Sequence, residues 1–339
     1  MKTKPFASLS LDLDNKWSYM KTHGDAGWES FPSYLDVVVP RALDFLKERG
    51  MKITFFIVGQ DAALEKNREA LARISAGGHE IGNHSFHHEP WLHLYPETEI
   101  EAELAEAEEA IERVTGKRPV GFRGPGFIFS NEILRVLVRR GYEYDASTFP
   151  TYLGPLARAY YFMTTKLSEE EKQERKELFG KMSEGLRPVK PYRWQTDGEQ
   201  SLLEIPVTTM PLFKVPIHVS YVLYLSAFAP RLAVQYFKNA MRLCRLTKTE
   251  PSLLLHPLDF LGADDDMSEL SFFPAMRMQS ALKLEVVGKV LDALAKNYTV
   301  LGLRDYARNL TAEVSRLPTV KPNFGIPRVT RMRSVRTEG

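Results

Sequence analysis

Apolar positions change their period repeatedly along this chain, and the changes mark out its elements. In residues 9–15, LSLDLDN, Leu9, Leu11 and Leu13 alternate with Ser10, Asp12 and Asp14. A strand puts the leucines on one face and the polar residues on the other. Next, YLDVVVPRALDFLKERG carries a helical pattern ending at Gly50, and KITFFIVG is a β-rich run ending at Gly59, so the first sixty residues read as a βαβ unit. A second helical pattern covers about Glu65 to Ser75, and a short strand follows at HEIG. The clearest helix is PETEIEAELAEAEEAIERVTG: Ile100, Leu104, Ala107, Ile111 and Val114 form one stripe, Thr98 and Glu101 have capping-box spacing, and Gly116 closes it.

Further strands are expected near residue 121 (PVGFR), 144 (YEYDA), 204 (SLLEIPV) and 254 (SLLLHP), with helices at about 131–140, 229–246, 279–296 and 303–310. Alternation of this kind argues for a parallel α/β fold, and the number of units suits a barrel. Between Pro150 and roughly Gln200 the rhythm breaks: Tyr152, Tyr160, Tyr161 and Phe162 precede a charged run, SEEEKQERKELFGKM. We read this as an insertion in a single domain over residues 1–315. From about Arg316 onward, prolines and scattered arginines with little apolar periodicity predict a C-terminal arm, 316–339, lying over the surface or partly disordered.

Composition narrows the partners. The chain has 339 residues, 44% hydrophobic and 26% charged, with a formal net charge of +2, which gives no strong field for steering nucleic acid. The single cysteine, Cys244, excludes an internal disulfide or a cysteine-based zinc cluster and reads as core packing. The N-terminus, MKTKPFASLSLDLD, has no apolar h-region ahead of the acidic pair, so a cytoplasmic location is expected, with contact at the inner face of a membrane in reserve. The apolar stretch from Val215 to Pro230 is shorter than the ~18 residues of a spanning helix and reads as core or a substrate wall.

The chemistry concentrates in two places. Five of the eight histidines lie between His79 and His93, in GHEIGNHSFHHEPWLH. His84 and His88 are four apart, so on a helical turn their imidazoles share a face and can grip one metal ion, whereas His87 points elsewhere. Two histidines still need an oxygen ligand. The strand with Asp12 and Asp14 can supply one carboxylate and leave the other beside the ion as a base, which explains two acids on one face better than solvation does.

These segments resemble the NodB-homology polysaccharide deacetylases, carbohydrate esterase family four. The first motif of that family, T-F-D-D-G, has its counterpart in SLDLDN, the second in HSFHH, the third in FRGPGF, the fourth in DASTF, with Phe149 where tryptophan is usual, and the fifth in LLLHP. The resemblance implies a distorted (β/α) barrel of about seven parallel strands. It also implies that Asp14, His84 and His88 hold a divalent metal, with Asp12 as general base and Arg123 orienting it. His256 would be the general acid, with Asp145 fixing and charging its imidazole, and the Gly126 amide would help hold the oxyanion. Zinc is the first choice of ion, with iron, cobalt, nickel or manganese able to occupy the same ligands. The implied activity is removal of an N-acetyl group from an amino sugar in a polysaccharide or glycolipid precursor, possessing a nucleotide or polyprenyl carrier. The rivals are a deformylase of a lipid-linked amino sugar, an O-acetyl esterase, and a catalytically silent carbohydrate-binding protein.

Overall fold

The computed structural model describes residues 4–167, 182–196, 200–311 and 317–322. Among them, ten strands form one sheet: β1 (Phe6–Asp12), β2 (Thr54–Ile57), β3 (Glu80–Asn83), β4 (Gly121–Phe122), β5 (Tyr144–Asp145), β6 (Tyr192–Gln195), β7 (Ser201–Glu204), β8 (Ser252–Leu255), β9 (Thr299–Leu301) and β10 (Thr319–Val320). Seven of these run side by side and parallel in the order β7-β5-β4-β3-β2-β1-β8. Beyond β7, the Thr208 amide donates to the Ser252 carbonyl at 2.9 Å, bringing the two ends of this row together as a distorted barrel.

The alternation in LSLDLDN holds. Leu9, Leu11 and Leu13 pack with Phe55, Ile57, Leu253 and Leu255 beneath the surrounding helices, each fully buried aliphatic side chain contributing about 1.5–3 kcal/mol. The opposite face of the sheet lines the barrel interior. There Phe56, Tyr144, Ala146, Leu203 and Ile205 pack with Leu303, Tyr306 and Ala307 of the helix Leu303–Thr311. That helix sits at the N-terminal ends of the strands, where the Leu303 amide donates to Thr54 Oγ1 and the Arg304 amide to Glu80 Oε2. The C-terminal ends are left for chemistry, as is usual in parallel α/β barrels.

Three strands were not expected from the sequence. β6 pairs antiparallel with β7, β10 adds to β6, and β9 pairs with β1. The arm expected after Arg316 thus includes two residues that extend the sheet. The helix Glu97–Thr115 forms where expected and ends at Gly116 with φ of 68°, but the capping box does not form. Pro96 occupies the N-cap and Thr98 lies inside the first turn, while Glu101 is drawn to Arg139 and Arg140 at 2.5 Å each. Within the insertion, Gly154–Thr164 is helical; the charged run over 168–181 and the side chains of Tyr160, Tyr161 and Phe162 lie outside the described residues. No helix among the described residues is long and apolar enough to cross a membrane.

Candidate metal centre and proton-transfer site

β1 delivers Asp12 at its last position, and the chain turns immediately afterwards. Tyr34 Oη donates to the Asp14 carbonyl at 2.7 Å, and Asn15 accepts from the Lys16 amide as N-cap of the helix Lys16–His23. Beneath this turn is the buried Asp61, whose Oδ1 accepts from Asn15 Nδ2 (2.7 Å), Trp17 Nε1 (2.9 Å) and Asn67 Nδ2 (3.1 Å). Burial pushes the Asp61 carboxyl up to about 7, against the hydrogen bonds from Asn15 and Trp17.

His84 and His88 follow β3, but on a loop and not on a helical turn. Ser85 and His88 take φ of 62° and 52°, conformations that break a right-handed helix. The loop is shaped by side chains: the Ser85 amide donates to Asn83 Oδ1 at 2.8 Å, and the Phe86 and His87 amides both donate to Glu103 Oε1 at 3.0 and 2.6 Å. His84 Nδ1 donates to the Arg123 carbonyl at 2.6 Å, which turns Nε2 toward Asp14 at 3.2 Å. His88 Nε2 lies 3.0 Å from the same carboxylate oxygen. The imidazoles overcome the cost of burial and hold the Asp14 carboxyl well below its usual range.

One ligand atom from each of Asp14, His84 and His88 lies within 4.8 Å of the others. This set fits a divalent cation. Two imidazoles and a carboxylate are a known three-residue donor set for zinc, and the His84 Nδ1 bond to a backbone carbonyl is the outer support that fixes the tautomer of a ligating histidine. His88 Nδ1, by contrast, is buried with no hydrogen-bond partner.

Asp12 is held separately. Arg123, fully buried, crosses the barrel interior from the end of β4: Nη1 donates to Asp12 Oδ1 at 2.7 Å and to Ser10 Oγ at 2.8 Å, and Nε donates to the Ala146 carbonyl at 2.9 Å. Its guanidinium lies 4.5 Å from the Phe56 ring centroid. A buried acid beside a buried arginine is thereby paired and oriented at once. Gly126, with φ of 66°, sits in the turn Pro125–Phe127. A Cβ there would lie 3.5 Å from Pro90, on the loop that carries His88.

His256 follows β8. Leu255 is in register with Leu11, so His256 comes beside Asp12 on the neighbouring strand, about 4.8 Å away in the pairing direction. The partner implied for it, Asp145, is elsewhere. Asp145 Oδ1 accepts from Ser147 Oγ at 2.5 Å, and in register it pairs with Glu204 of β7. Glu204 accepts from Trp194 Nε1 and from the Thr148 amide, each at 3.0 Å. The physical reason is the pleat: Tyr144 faces the interior with Phe56, so its neighbour Asp145 is turned to the other face. What meets His256 Nδ1 is Ser220 Oγ at 3.0 Å, and Ser220 in turn donates to Asp259 Oδ1 at 2.8 Å. Phe149 forms a wall between Phe127 (4.9 Å between ring centroids) and His218 (5.2 Å). His218 lies 5.9 Å from His256, and burial holds its imidazole well below the usual range.

Sequence reading missed Glu204, His218, Ser220, Asp259 and Asp61. Asp259 had one local signal: in HPLD it sits three residues after a strand-end histidine, the spacing that lets its Oδ2 accept the His256 amide at 2.8 Å. Ser220 had none.

Residues 25–144 match the family model for polysaccharide deacetylase. That span includes His84, His88 and Arg123 and leaves out Asp12, Asp14 and His256. The chain is 35% identical over 111 residues to the peptidoglycan-N-acetylmuramic acid deacetylase PdaA of Bacillus subtilis, covering 32% of this chain and 41% of that protein. It is 33% identical over 154 residues to a peptidoglycan deacetylase of Helicobacter pylori, covering 43% and 50% respectively. The chain therefore spans half or less of the length of these curated relatives. A Mycobacterium smegmatis crystal structure assigned to the polysaccharide deacetylases superimposes with a TM-score of 0.62 at 20% identity, over 97% of each chain. The fold is that of these deacetylases.

Proposed function

We propose that this chain is a metal-dependent hydrolase that removes the N-acetyl group from an amino sugar of a polysaccharide or its precursor. The observation that carries the reading is the convergence of Asp14, His84 and His88 next to a second carboxylate, Asp12, that an interior arginine holds in place. When bound, a divalent ion supplies Lewis-acid polarisation of the acyl oxygen and activates water near neutral pH. Asp12 accepts the proton of the attacking water. Of the two Asp12 carboxylate oxygens, Arg123 binds Oδ1 and so keeps the group aimed. The Gly126 amide is the proposed donor to the developing oxyanion. His256 donates its proton to the departing nitrogen, so that the amine leaves neutral.

The test is metal analysis joined to acetate release. Native protein should hold about one ion per chain, lost in Asp14→Ala and His84→Ala, and should free acetate from N-acetylated amino-sugar oligomers. Reconstitution with zinc, iron, cobalt, nickel and manganese ranks the ions. Protein that holds no stoichiometric metal and releases no acetate would overturn the reading, and release of formate would favour a deformylase.

The substrate we propose is carrier-linked. Exposed Leu212, Phe213, Phe228 and Leu232 flank the segment that carries His218 and Ser220, an apolar rim suited to a polyprenyl chain. Faster acetyl release from polyprenyl-linked than from free sugar supports this; equal rates count against it.

A further inference from the structure

Ser220 Oγ lies 3.0 Å from His256 Nδ1 and 2.8 Å from Asp259 Oδ1. A serine hydroxyl has one hydrogen, and a carboxylate can only accept. The hydrogen therefore goes to Asp259, and Ser220 Oγ must accept from His256 Nδ1–H. The second Asp259 oxygen accepts the His256 backbone amide at 2.8 Å, so both ends of this small ring of hydrogen bonds are anchored to one turn. Lys283, itself buried, donates to the Leu258 and Leu261 carbonyls at 2.5 and 2.6 Å and holds that turn from the opposite side.

We propose that Ser220 and Asp259 are the positioning residues for His256, holding its imidazole in the Nδ1–H tautomer and directing Nε2 toward the reacting centre. This rests on the deacetylase reading above. The doubly protonated ring has an acceptor for Nδ1–H in Ser220, backed by the Asp259 carboxylate, and a second proton on Nε2 to give. On transfer, the Nε2–H bond breaks, the proton joins the nitrogen of the departing amine, and the ring is left neutral with Nδ1–H still bonded to Ser220. This chain thus takes over the part that sequence resemblance gave to Asp145. Among the charged and titratable groups here, Asp259 neighbours His256, Lys283 and Tyr19, His218 at the N-cap of the helix Val219–Ser226 faces His256, and Asp12, paired with Arg123, comes beside it from the barrel interior.

The carboxamide variant makes the argument sharp. In Asp259→Asn the fixed His256 amide demands the oxygen, so the NH2 group faces Ser220. Ser220 then accepts from Asn and turns its own hydrogen onto His256 Nδ1, forcing the Nε2–H tautomer and removing the acceptor that the charged ring needs. The experiment is long-range 1H–15N correlation of His256 in the full chain, alongside kcat, KM and the pH profile for acetate release. Wild type should show Nδ1 protonated near neutral pH, and Asp259→Asn should show Nε2 protonated. Asp259→Asn should lower kcat about 10² to 10⁴-fold with KM within about threefold and the alkaline limb of the pH profile moved to lower pH. Ser220→Ala should show the same direction with a smaller loss, and Ser220→Thr should restore both tautomer and kcat. An unchanged tautomer in Asp259→Asn, or near-native kcat in both Ser220→Ala and Asp259→Asn, overturns the proposal. A wild type that shows the Nδ1–H tautomer but frees no acetate with metal present would instead overturn the deacetylase reading and leave the hydrogen-bond assignment standing.

Discussion

On the cation side of the site, each side chain that positions Asp14, His84 and His88 does so through a bond to a main-chain group: the Asp14 carbonyl takes the Tyr34 hydroxyl, His84 donates to a main-chain carbonyl, and Glu103 ties down two amides of the loop. On the proton side, His256 depends on two short side chains drawn from separate elements, the helix Val219–Ser226 and the turn Pro257–Asp259. A bond to a main-chain amide or carbonyl keeps its direction. A serine bridge does not, because one hydrogen decides the direction of every bond in the chain. The cation side should therefore fail by losing its ion, and the proton side by mis-setting a tautomer while the ion remains bound.

The largest expected effect is on the cation side. Asp14→Ala should abolish metal retention and cut acetate release by more than about 10³-fold, and elemental analysis with single-turnover assays checks both. Asp12→Asn should keep the metal and lose about 10² to 10⁴-fold in kcat; loss of metal in that variant would erase the division between the two acids. Next comes the support beneath Asp14. Asp61→Ala strands three donors, from Asn15, Trp17 and Asn67, and should weaken metal binding by about 10 to 100-fold, measured by competition with a chelator.

The smallest effect tests the residue that the pleat turned away. Asp145→Asn should change kcat by less than about tenfold and leave the pH profile of turnover in place, well short of a proton-transfer role. Its effect should appear in stability. Burial pushes Asp145 up to about 6, and burial with the Asp145 charge raises Glu204 further above its usual range. Each carboxyl holds its proton in the folded state at a pH where the unfolded chain has released it. The Asp145 contribution thus favours folding most below the unfolded value of about 4, and this support is lost as pH rises through about 6. Relative to wild type, Asp145→Asn should gain on the order of a few degrees in Tm between pH 4 and pH 7. A shift of the turnover profile like that of Ser220→Ala would return Asp145 to the proton side and break the comparison.

Local pattern determined much of this protein. The period-2 alternation in LSLDLDN set Asp12 on the interior face, the βαβ rhythm set a parallel α/β fold, and the histidine spacing singled out two candidate metal ligands whose convergence does not need a helix. Even there the route differed, since positive φ at Ser85 and His88 builds a loop that the four-residue spacing alone reads as helical. Pairing between distant segments was decided only in three dimensions. Whether Asp145 or Asp259 supports His256 turns on strand register and on which way a two-residue strand is pleated, and Ser220 meets His256 from 36 positions away along the chain. Sequence carries hydrophobic period because each residue responds to its own burial. It does not carry the choice of hydrogen-bond partner, because that is fixed by the relative placement of elements whose packing involves the whole core.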